Sequence, residues 1–399
     1  MMNHKKDVIV LGGGAAGLSV AAGGAAMGLN LTLIAPQPMG GDCLHHGCVP
    51  SKSVLHAAHL GQGWAEAKRH ATKVIASIQP HDSKERFEHL GVHVVDGKGW
   101  LEGRGLVRDN LGQTHHGRNV VLATGSRPHI HPLLAHVPAP KALTTDNLWS
   151  QDLAGHVVIL GGGAIALEMA EALRGLGLQV SILARSQILR GHPPKLQQLV
   201  RQLLQARGVQ LLEDVALAQL DDVAAQLRLH LDDGTILDAD HVLQAMGRNH
   251  GFDGGDVDDP DGPSGLGLEA LGLSSEVSKH LRVGGQSWLY VAGDAAGPPY
   301  LTHGASHDAG VVLRNIVAPW PVAQKRPNLP RSIYMASEVT AVGEVKWPAP
   351  GGCLWLENKS DGDRALTEDR QAYAGLMIEE KSGRLRGALL CFPGFVQHG

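Results

Sequence analysis

Two segments of this 399-residue chain repeat one pattern, and the repeat constrains the fold more than any other feature. The first runs from Asp7 through Gly-Gly-Gly-Ala-Ala-Gly17 to a second apolar run at Leu31–Ile34. The second runs from His156 through Gly-Gly-Gly-Ala-Ile-Ala166 to Val180–Leu183. A short apolar run, a glycine turn, a helical stretch and another apolar run make a βαβ unit, whose parallel strands are buried on both faces. The sequence therefore predicts an α/β protein with two Rossmann-like, doubly wound nucleotide-binding domains.

The first glycine loop, Gly12-x-Gly14-x-x-Gly17, has the spacing of a dinucleotide site. Gly12 would form the tight turn, Gly14 would let backbone N–H groups reach a pyrophosphate, and Gly17 would let helix and strand pack closely. A glycine turn that binds no ligand is the alternative.

The second loop, Gly161-x-Gly163-x-x-Ala166, has alanine at the third place. Its second strand is followed by Arg185, where an NAD site would have a carboxylate for the ribose 2′-hydroxyl. Arg185 suits a 2′-phosphate instead, and Arg190 is a possible second cation. The sequence favours NADPH over NADH, with a mixed preference or an ordinary pair of exposed arginines as alternatives.

The segment Cys43-Leu-His-His-Gly-Cys48-Val-Pro-Ser-Lys52 carries the most chemistry. Cys48 lies at a helix start that Pro50 favours, and the helix N-terminus would stabilise its thiolate. Lys52 lies one turn along the same face. In a reducing cytosol we expect a redox-active pair; a metal site that also uses His45 and His46, or two ordinary thiols, are the alternatives.

Composition narrows the functional classes. A net charge of −4 gives no basic excess for nucleic acid or an anionic membrane, and four cysteines do not make a secreted disulfide scaffold. The stretch from Val8 to Gly41 lacks Asp, Glu, Lys and Arg, so an export signal or membrane helix is the alternative there. Because its glycines would break a long helix, we expect a cytoplasmic protein that binds neither nucleic acid nor membrane.

Further segments have local signatures that predict strands, a hairpin, a loop and a linker. In chain order they are a strand into a turn at Val120–Pro128, a hairpin of Leu227–Leu231 with Thr235–Leu237, an acidic surface loop at Asp253–Gly265, a buried strand from Leu289, a linker at Pro319–Pro330, and strands at Ser332–Met335, Gly375–Ile378 and Gly387–Cys391.

The motifs in this order resemble the flavoprotein pyridine nucleotide–disulfide oxidoreductases, which include dihydrolipoamide dehydrogenase, glutathione reductase and mercuric reductase. The resemblance spans about Asp7 to Ala388. It depends on Gly12–Gly17, Gly40–Lys52, Ala123–Pro128, Gly161–Glu168, Ala245–Arg248 and Tyr290–Asp294.

The resemblance implies a hydride transfer from NAD(P)H to FAD and onward reduction of a Cys43–Cys48 disulfide. Cys48 would be the charge-transfer thiol against the isoalloxazine, and Cys43 the interchange thiol that attacks a small disulfide. Lys52 would lie by flavin N5, paired with Glu168. The substrate would be a small disulfide or dithiol, or a lipoyl carrier, and the protein a homodimer.

The resemblance also implies the cofactor-binding residues, and no metal site is predicted. FAD would be held by Gly12, Gly14, Gly17, Thr124, Gly125 and Asp294; the nicotinamide nucleotide by Gly161, Gly163, Ala166, Arg185 and Arg190; and further cofactor contacts would come from Ala16, Gly41, Asp42, Gly99, Gly247, Thr302 and His303.

The implied domains follow the family's order. Residues 1–152 and 280–320 would bind FAD, residues 153–279 would bind NAD(P), and residues 328–399 would form an incomplete α+β interface domain. His303 favours a dihydrolipoamide dehydrogenase-like enzyme, whereas Ala166 with Arg185 favours a mercuric- or glutathione-type NADPH reductase as the alternative.

Three departures from the family pattern matter. Ala35 replaces a glutamate that bonds the FAD ribose, so FAD would be held less tightly by about 1.5–3 kcal/mol. Ala245-Met-Gly-Arg248 lacks the usual threonine and the following proline, a minor change. The family's C-terminal His–Glu acid/base pair has no match, and His398 does not fit it.

The missing pair predicts diaphorase-type activity with poor lipoamide turnover, unless the sequence is a truncated fragment. A catalytically incomplete nucleotide-binding protein that acts as a redox sensor or assembly partner is the alternative from another class.

Overall fold

The computed structural model describes residues 6–250, 265–324, 329–359 and 372–393. The predicted surface loop at Asp253–Gly265 falls, except for its last residue, outside the described residues, as do residues 325–328 of the predicted linker and His398. Among the described residues, every helix falls short of the length and apolar character that a bilayer-spanning segment needs.

The helices and strands alternate through most of the chain. The helices are α1 Ala15–Ala26, α2 Gly41–His45, α3 Cys48–His59, α4 Trp64–Ile78, α5 Lys84–His89, α6 Ala164–Gly175, α7 Pro194–Ala206 and α8 Thr302–Val317. The strands are β1 Lys6–Leu11, β2 Leu31–Ala35, β3 His93–Asp96, β4 Gly99–Gly103, β5 Leu106–Asp109, β6 Thr114–Leu122, β7 Ser126–Pro128, β8 Ala142–Leu143, β9 His156–Leu160, β10 Gln179–Ala184, β11 Gln210–Glu213, β12 Leu217–Val223, β13 Gln226–Leu231, β14 Ile236–Ala239, β15 His241–Gln244, β16 Arg248–His250, β17 Leu289–Val291, β18 Arg331–Ile333, β19 Ser337–Gly343, β20 Cys353–Lys359, β21 Tyr373–Glu379 and β22 Leu385–Pro393.

The chain forms two compact units. The first unit comprises residues 1–49, 74–127 and 248–326, and the second comprises residues 50–73, 128–247 and 327–399.

The first unit is built on a parallel sheet in the order β3-β2-β1-β6-β17, which β5 and β4 extend in antiparallel fashion from β6. Every residue of β2 is buried, as a parallel strand covered on both faces requires. Helix α1 packs against α8 through small residues, and the Ser19 and Ser306 hydroxyls lie 3.2 Å apart across the contact. The carboxyl ends of β1 and β6 therefore meet at the edge where α1 begins.

The second unit holds a parallel sheet in the order β11-β10-β9-β15-β8 and an antiparallel sheet of β12, β13 and β14. Strand β9 is buried throughout, and α6 follows it directly after the second glycine loop. The hairpin predicted around Asp232–Gly234 is confirmed by the antiparallel pairing of β13 with β14.

The C-terminal part of the second unit is an antiparallel sheet in the order β18-β19-β22-β21-β20. One face contributes Ile333, Val339 and Leu389 to the core around α6. The other face carries a row of apolar side chains that runs across the strands. Its members are Leu356, Leu376, Ala388 and Val342, and each pairs in register with the next. Leu356 is 50% exposed, so this face leaves apolar surface in contact with solvent.

The predicted α/β class with two parallel, Rossmann-like sheets is confirmed. The prediction of the C-terminal strands was incomplete, because β19 and β20 were not anticipated. The predicted strand Ser332–Met335 ends early, at Ile333. Its next backbone N–H, that of Tyr334, donates to the Glu168 carboxylate at 2.9 Å instead of to a neighbouring strand.

Candidate active site

In the first glycine loop, between β1 and α1, backbone segments pack directly against each other. Gly12 has a φ of +110°, and a Cβ there would lie 2.3 Å from the Ala123 carbonyl oxygen. A Cβ at Gly17 would lie 1.9 Å from the Gly12 carbonyl oxygen. Both distances are far below van der Waals contact, so neither position accepts a side chain unless the backbone shifts.

The N-terminus of α1 is lined by glycines on both sides. A Cβ at Gly14 would meet the Cα of Gly41 at 3.7 Å, an ordinary contact distance, and Gly41 has a φ of +62°. Gly14 is the N-cap of α1 and has no side chain to bond the first N–H groups. Because those N–H groups and the helix dipole favour an anion, the loop fits the pyrophosphate of a dinucleotide such as FAD.

Arg248 holds together the segments that border this loop. Its Nε donates to the Ser126 hydroxyl at 2.7 Å, and its guanidinium also donates to the Ser126 carbonyl at 2.9 Å and to the Asp42 carboxylate. The Ser126 hydroxyl donates to Asp294 at 2.9 Å, and the Tyr300 hydroxyl donates to the Arg248 carbonyl at 3.3 Å. The Arg248 side chain is 12% exposed, whereas that of its partner Asp42 is 40% exposed, so the guanidinium of this Arg248 network (Asp42, Ser126, Arg248 and Asp294) is largely buried and the Asp42 carboxylate faces solvent.

The network brings together predicted cofactor residues from three parts of the sequence. Thr124 and Gly125 form the turn that leads to Ser126, and Gly125 has a φ of +80°. A Cβ at Gly293 would lie 2.8 Å from the Ala16 Cβ, so Ala16 packs beside the turn that carries Asp294. Asp42, Asp294 and Arg248 together place two carboxylates and one guanidinium in this network.

The end of β2 has no carboxylate for a ribose. Ala35 is fully buried, and a Cβ at Gly13 would lie 2.8 Å from its side chain. On the neighbouring strand Asp96 pairs in register with Ala35, and its carboxylate accepts from the Gln37 backbone N–H at 3.1 Å. The glycine loop and the Arg248 network are therefore the main parts of the first unit that could hold a dinucleotide.

The two cysteines of the redox motif lie on successive short segments. Cys43 belongs to α2 and is half-buried, whereas Cys48 is the first residue of α3 and is exposed. The Cys48 Sγ lies 3.8 Å from the Thr302 hydroxyl at the start of α8. The His45 Nε2 bonds the Met39 carbonyl at 3.0 Å.

Cys43 lines a cavity of about 340 Å³ in the first unit, here named the Cys43 cavity. Residues of α1, α2, α5 and α8 form its walls, and Thr302 contributes one hydroxyl. Asp82 and Arg86 line it as well, and partial burial raises the pKa of Asp82 while Arg86 acts in the opposite direction. The cavity gives a small molecule direct access to Cys43.

In the second unit Lys52 is held by two groups. Its Nζ lies 2.8 Å from Glu168 and 4.4 Å from the centre of the Tyr334 ring. The second oxygen of Glu168 accepts from the Tyr334 backbone N–H at 2.9 Å. The predicted Lys52–Glu168 pair therefore forms, and Tyr334, which the sequence reasoning missed, anchors both partners.

The second glycine loop repeats the close approach of the first. A Cβ at Gly161 would lie 2.2 Å from the Ala245 carbonyl oxygen, Gly163 lies in open space, and Ala166 is fully buried. Arg185 and Arg190 are both exposed in the segment after β10. Here too an anionic nucleotide would meet open backbone N–H groups at a helix start.

Glu213, the carboxylate that lies opposite the last residue of β10, already accepts hydrogen bonds within the protein. Glu213 pairs with Ala184 across β10 and β11. It accepts from the Ile188 backbone N–H at 2.7 Å and from Arg201 at 2.6 and 3.0 Å. The Glu213 carboxylate is therefore occupied by contacts within the protein, and the exposed Arg185 is the residue that directly follows β10.

The remaining predicted contacts lie at the margins of these sites. Gly99 begins β4, and a Cβ there would meet Leu11 at 3.1 Å, which indicates a packing role as well. Gly247 has a φ of +104° and accepts a hydrogen bond from the His129 N–H at 3.0 Å. His303 is exposed in the first turn of α8.

Sequence reasoning missed Ser126, Arg248, Asp82 and Arg86 as site residues. Ser126 and Arg248 lie in motifs that were recognised, but 122 residues separate them, and only the folded chain shows their hydrogen bond. Asp82 and Arg86 belong to no motif, so a local signal for them is absent from the sequence.

A family model described as pyridine nucleotide-disulphide oxidoreductase matches residues 6–325. Dihydrolipoyl dehydrogenase 3 of Pseudomonas aeruginosa is 30% identical over 377 residues, which cover 86% of this chain and 78% of that protein. Mercuric reductase of Shewanella putrefaciens is 26% identical over 422 residues, which cover 97% of this chain and 73% of that protein.

Solved structures share the fold. The HOCl-induced flavoprotein disulfide reductase RclA of Escherichia coli superposes with a TM-score of 0.83 at 22% identity, covering 97% of this chain and 89% of that one. LpdA of Mycobacterium tuberculosis gives a TM-score of 0.83 at 20% identity, covering 97% of this chain and 90% of that one.

Substitution of Arg248 tests whether the network supports flavin binding. Arg248→Gln removes the guanidinium that donates to Asp42 and to Ser126, and loss of charge-assisted hydrogen bonds of about 1.5–3 kcal/mol should raise the Kd for FAD roughly 10- to 100-fold. Quenching of FAD fluorescence on titration of the apoprotein measures this Kd. Arg104→Gln, in the exposed turn between β4 and β5, is the control and should leave the Kd unchanged. An unaltered Kd for Arg248→Gln would show that the network has no part in flavin binding.

Proposed function

The chain belongs to the pyridine nucleotide-disulphide oxidoreductase family, and we propose that it is an FAD-dependent, dihydrolipoamide dehydrogenase-like NAD(P)H:disulfide oxidoreductase. The observation that carries the proposal is the position of Cys43 on a cavity that Thr302, 3.8 Å from the Cys48 Sγ, also lines, in the same unit as the glycine loop that fits a dinucleotide. Bound FAD would supply the two-electron relay between the nicotinamide nucleotide and the cysteine pair.

The two cysteines divide the thiol chemistry. Cys48 begins the 12-residue helix α3, whose N-terminus stabilises a thiolate. Cys43 faces the cavity, so its thiolate attacks one sulfur of the substrate disulfide and releases the first substrate thiolate. Cys48 then attacks the Cys43 sulfur, which forms the Cys43–Cys48 bond and releases the second thiolate. The same steps in reverse oxidise a dithiol.

Lys52 and Glu168 form a fixed ion pair in this proposal. The ammonium is restrained by Glu168 at 2.8 Å and by the Tyr334 ring, so its charge occupies one position instead of sampling many rotamers. The family resemblance implies that this charge acts at flavin N5.

The nucleotide preference follows from the cations after β10. Arg185 and Arg190 are exposed, and Glu213 is engaged by Ile188 and Arg201, so NADPH is the proposed reductant. The exposed arginines after β10 also support the second candidate, a mercuric- or glutathione-type NADPH reductase.

The apolar row on the C-terminal sheet supports a homodimer. Leu356, Leu376 and Val342 expose apolar surface across neighbouring strands, which another copy would cover. We further propose that residues 1–152 with 280–320 bind FAD, that residues 153–279 bind NADPH, that residues 328–399 form the interface domain, and that the protein works in the cytoplasm, where a dithiol stays reduced.

Anaerobic titration with NADPH tests the proposed function. The purified protein should be yellow, and NADPH should produce a long-wavelength absorbance band from a Cys48 thiolate beside the oxidised isoalloxazine. Cys48→Ser should abolish the band and leave the bleaching of the flavin by NADPH intact. Cys353→Ser, on β20, is the matched control and should keep the band. A colourless protein that binds NADPH would favour the redox sensor or assembly partner instead.

Substitution of Arg185 tests the nucleotide preference. Arg185→Ala removes a charge-assisted contact to the 2′-phosphate, so KM for NADPH should rise roughly 10- to 100-fold while KM for NADH changes little. Steady-state reduction of a quinone with either nucleotide measures both values. Arg228→Ala, whose guanidinium pairs with Asp238 on β14, is the control. Equal changes for NADPH and NADH would contradict a role for Arg185 at the 2′-phosphate.

Substitution of Leu356 tests the dimer. Leu356→Lys puts a charge in the middle of the apolar row, and the wild-type dimer should become a monomer in sedimentation velocity at micromolar concentration. Leu111→Lys, at an exposed leucine of the first unit, is the control and should stay dimeric. A monomeric wild type, or a dimer of Leu356→Lys, would refute this interface.

A further inference from the structure

The first glycine loop lacks the acid that a dinucleotide site ordinarily has for its ribose. In a Rossmann-like site the second strand leads to Asp or Glu, whose carboxylate accepts hydrogen bonds from the ribose hydroxyls. Strand β2 ends instead in Ala35, whose side chain is fully buried. A Cβ at Gly13 would lie 2.8 Å from the Ala35 Cβ, so this methyl group packs against the loop. The hydroxyls of a bound ribose therefore need another acceptor.

An acid ends the neighbouring strand. Asp96 is the last residue of β3 and pairs in register with Ala35, and the Gly97 N–H donates to the Ala35 carbonyl at 3.2 Å. Because neighbouring strands lie about 4.8 Å apart, the Asp96 backbone is one strand spacing from the position where the acid is missing. Strands β1, β2 and β3 are parallel, so their carboxyl ends share the edge of the sheet at which ligands bind.

A hydrogen bond holds the Asp96 side chain at the end of β2. Its Oδ1 accepts from the Gln37 N–H at 3.1 Å, two residues beyond Ala35. The same connection is tied to the glycine loop where the Gly40 N–H donates to the Gly13 carbonyl at 2.8 Å. Within the described residues, the bond to Gln37 is the one hydrogen bond of the exposed Asp96 carboxylate, so Oδ2 is available to a ligand.

We propose that Asp96 supplies the ribose-binding carboxylate of the first glycine loop, from β3 instead of β2, and accepts hydrogen bonds from the adenosine ribose of bound FAD. This inference rests on the proposed function, because FAD is the dinucleotide assigned to this loop. Strands β1 and β6 end in Leu11 and Leu122, so Asp96 is the one acid among the terminal residues of β1, β2, β3 and β6. A ribose diol suits a carboxylate, since hydroxyl donors meet an acceptor that carries only lone pairs.

Two flavins that differ only in the ribose test the assignment. The apoprotein is titrated with FAD and with its 2′,3′-dideoxyadenosine analogue, and quenching of the flavin fluorescence gives each Kd. NADP⁺ is kept in excess so that it occupies the second glycine loop. We expect the analogue to bind at least about tenfold more weakly than FAD, because it lacks the hydroxyls that donate to the carboxylate.

Two variants separate recognition of the ribose from support of the loop. Asp96→Asn retains an oxygen that can accept from the Gln37 N–H but removes the charge, so the ratio of the two Kd values should fall to about threefold or less. Asp96→Ala removes both acceptors and should bring the ratio close to one. Glu85→Gln, at an exposed carboxylate on α5, is the matched control and should keep the wild-type ratio.

The possible outcomes distinguish this inference from the proposed function. A ratio close to one in the wild-type protein would overturn the inference. Equal weakening of FAD and its analogue in Asp96→Asn would do the same, since an acid that only holds the loop through Gln37 affects both flavins alike. Either result leaves the oxidoreductase function standing if the wild-type protein binds FAD and develops the NADPH-induced long-wavelength band. Absence of FAD binding, or of that band, would instead count against the proposed function.

Discussion

The contact of Gly17 and Gly12 with the end of β6 determines how the first unit is assembled. Because these backbones touch where a Cβ would lie 1.9 Å from an oxygen, β1, β6 and α1 are locked in one arrangement. The Gly40 N–H then donates to the Gly13 carbonyl at 2.8 Å, and the chain turns into α2 with Cys43 beside the start of α1. The position of Cys43 is therefore a consequence of glycine packing more than 20 residues earlier in the chain.

The Arg248 network compensates charge where the glycine loop attracts an anion. The Asp42 and Asp294 carboxylates oppose an anion at this point. Arg248 compensates the charge of Asp42 and donates to Ser126, whose hydroxyl donates to Asp294. Ala35 leaves the end of β2 without a carboxylate. In the function that we propose, the loop and the network would therefore supply most of the binding energy for a flavin.

The sequence was sufficient to predict the elements whose conformation depends on neighbouring residues. The two βαβ units follow from apolar runs and glycine spacing, and the β13–β14 hairpin follows from Asp-Asp-Gly. The C-terminal sheet was harder to predict. Strand β18 ends because the Tyr334 N–H donates to the buried Glu168 carboxylate, which lies 166 positions away in the sequence. Tyr334 and Asp82 carry no motif, and Arg248 lies in a motif that gives no sign of its partner Ser126, so their places near functional residues could not be read from the sequence.

The sequence by itself determined where the two glycine loops form and which side chains could take part in thiol chemistry or nucleotide binding. Those properties depend on residue type and short spacing, because φ above zero and helix N-termini are local features. The tertiary structure alone decided that Arg248 joins Asp42 to Ser126, that Tyr334 contacts both Lys52 and Glu168, and that Cys43 shares a cavity with Asp82 and Arg86. Hydrogen bonds and charge pairs between distant segments form only when chain packing brings them within a few ångströms of each other.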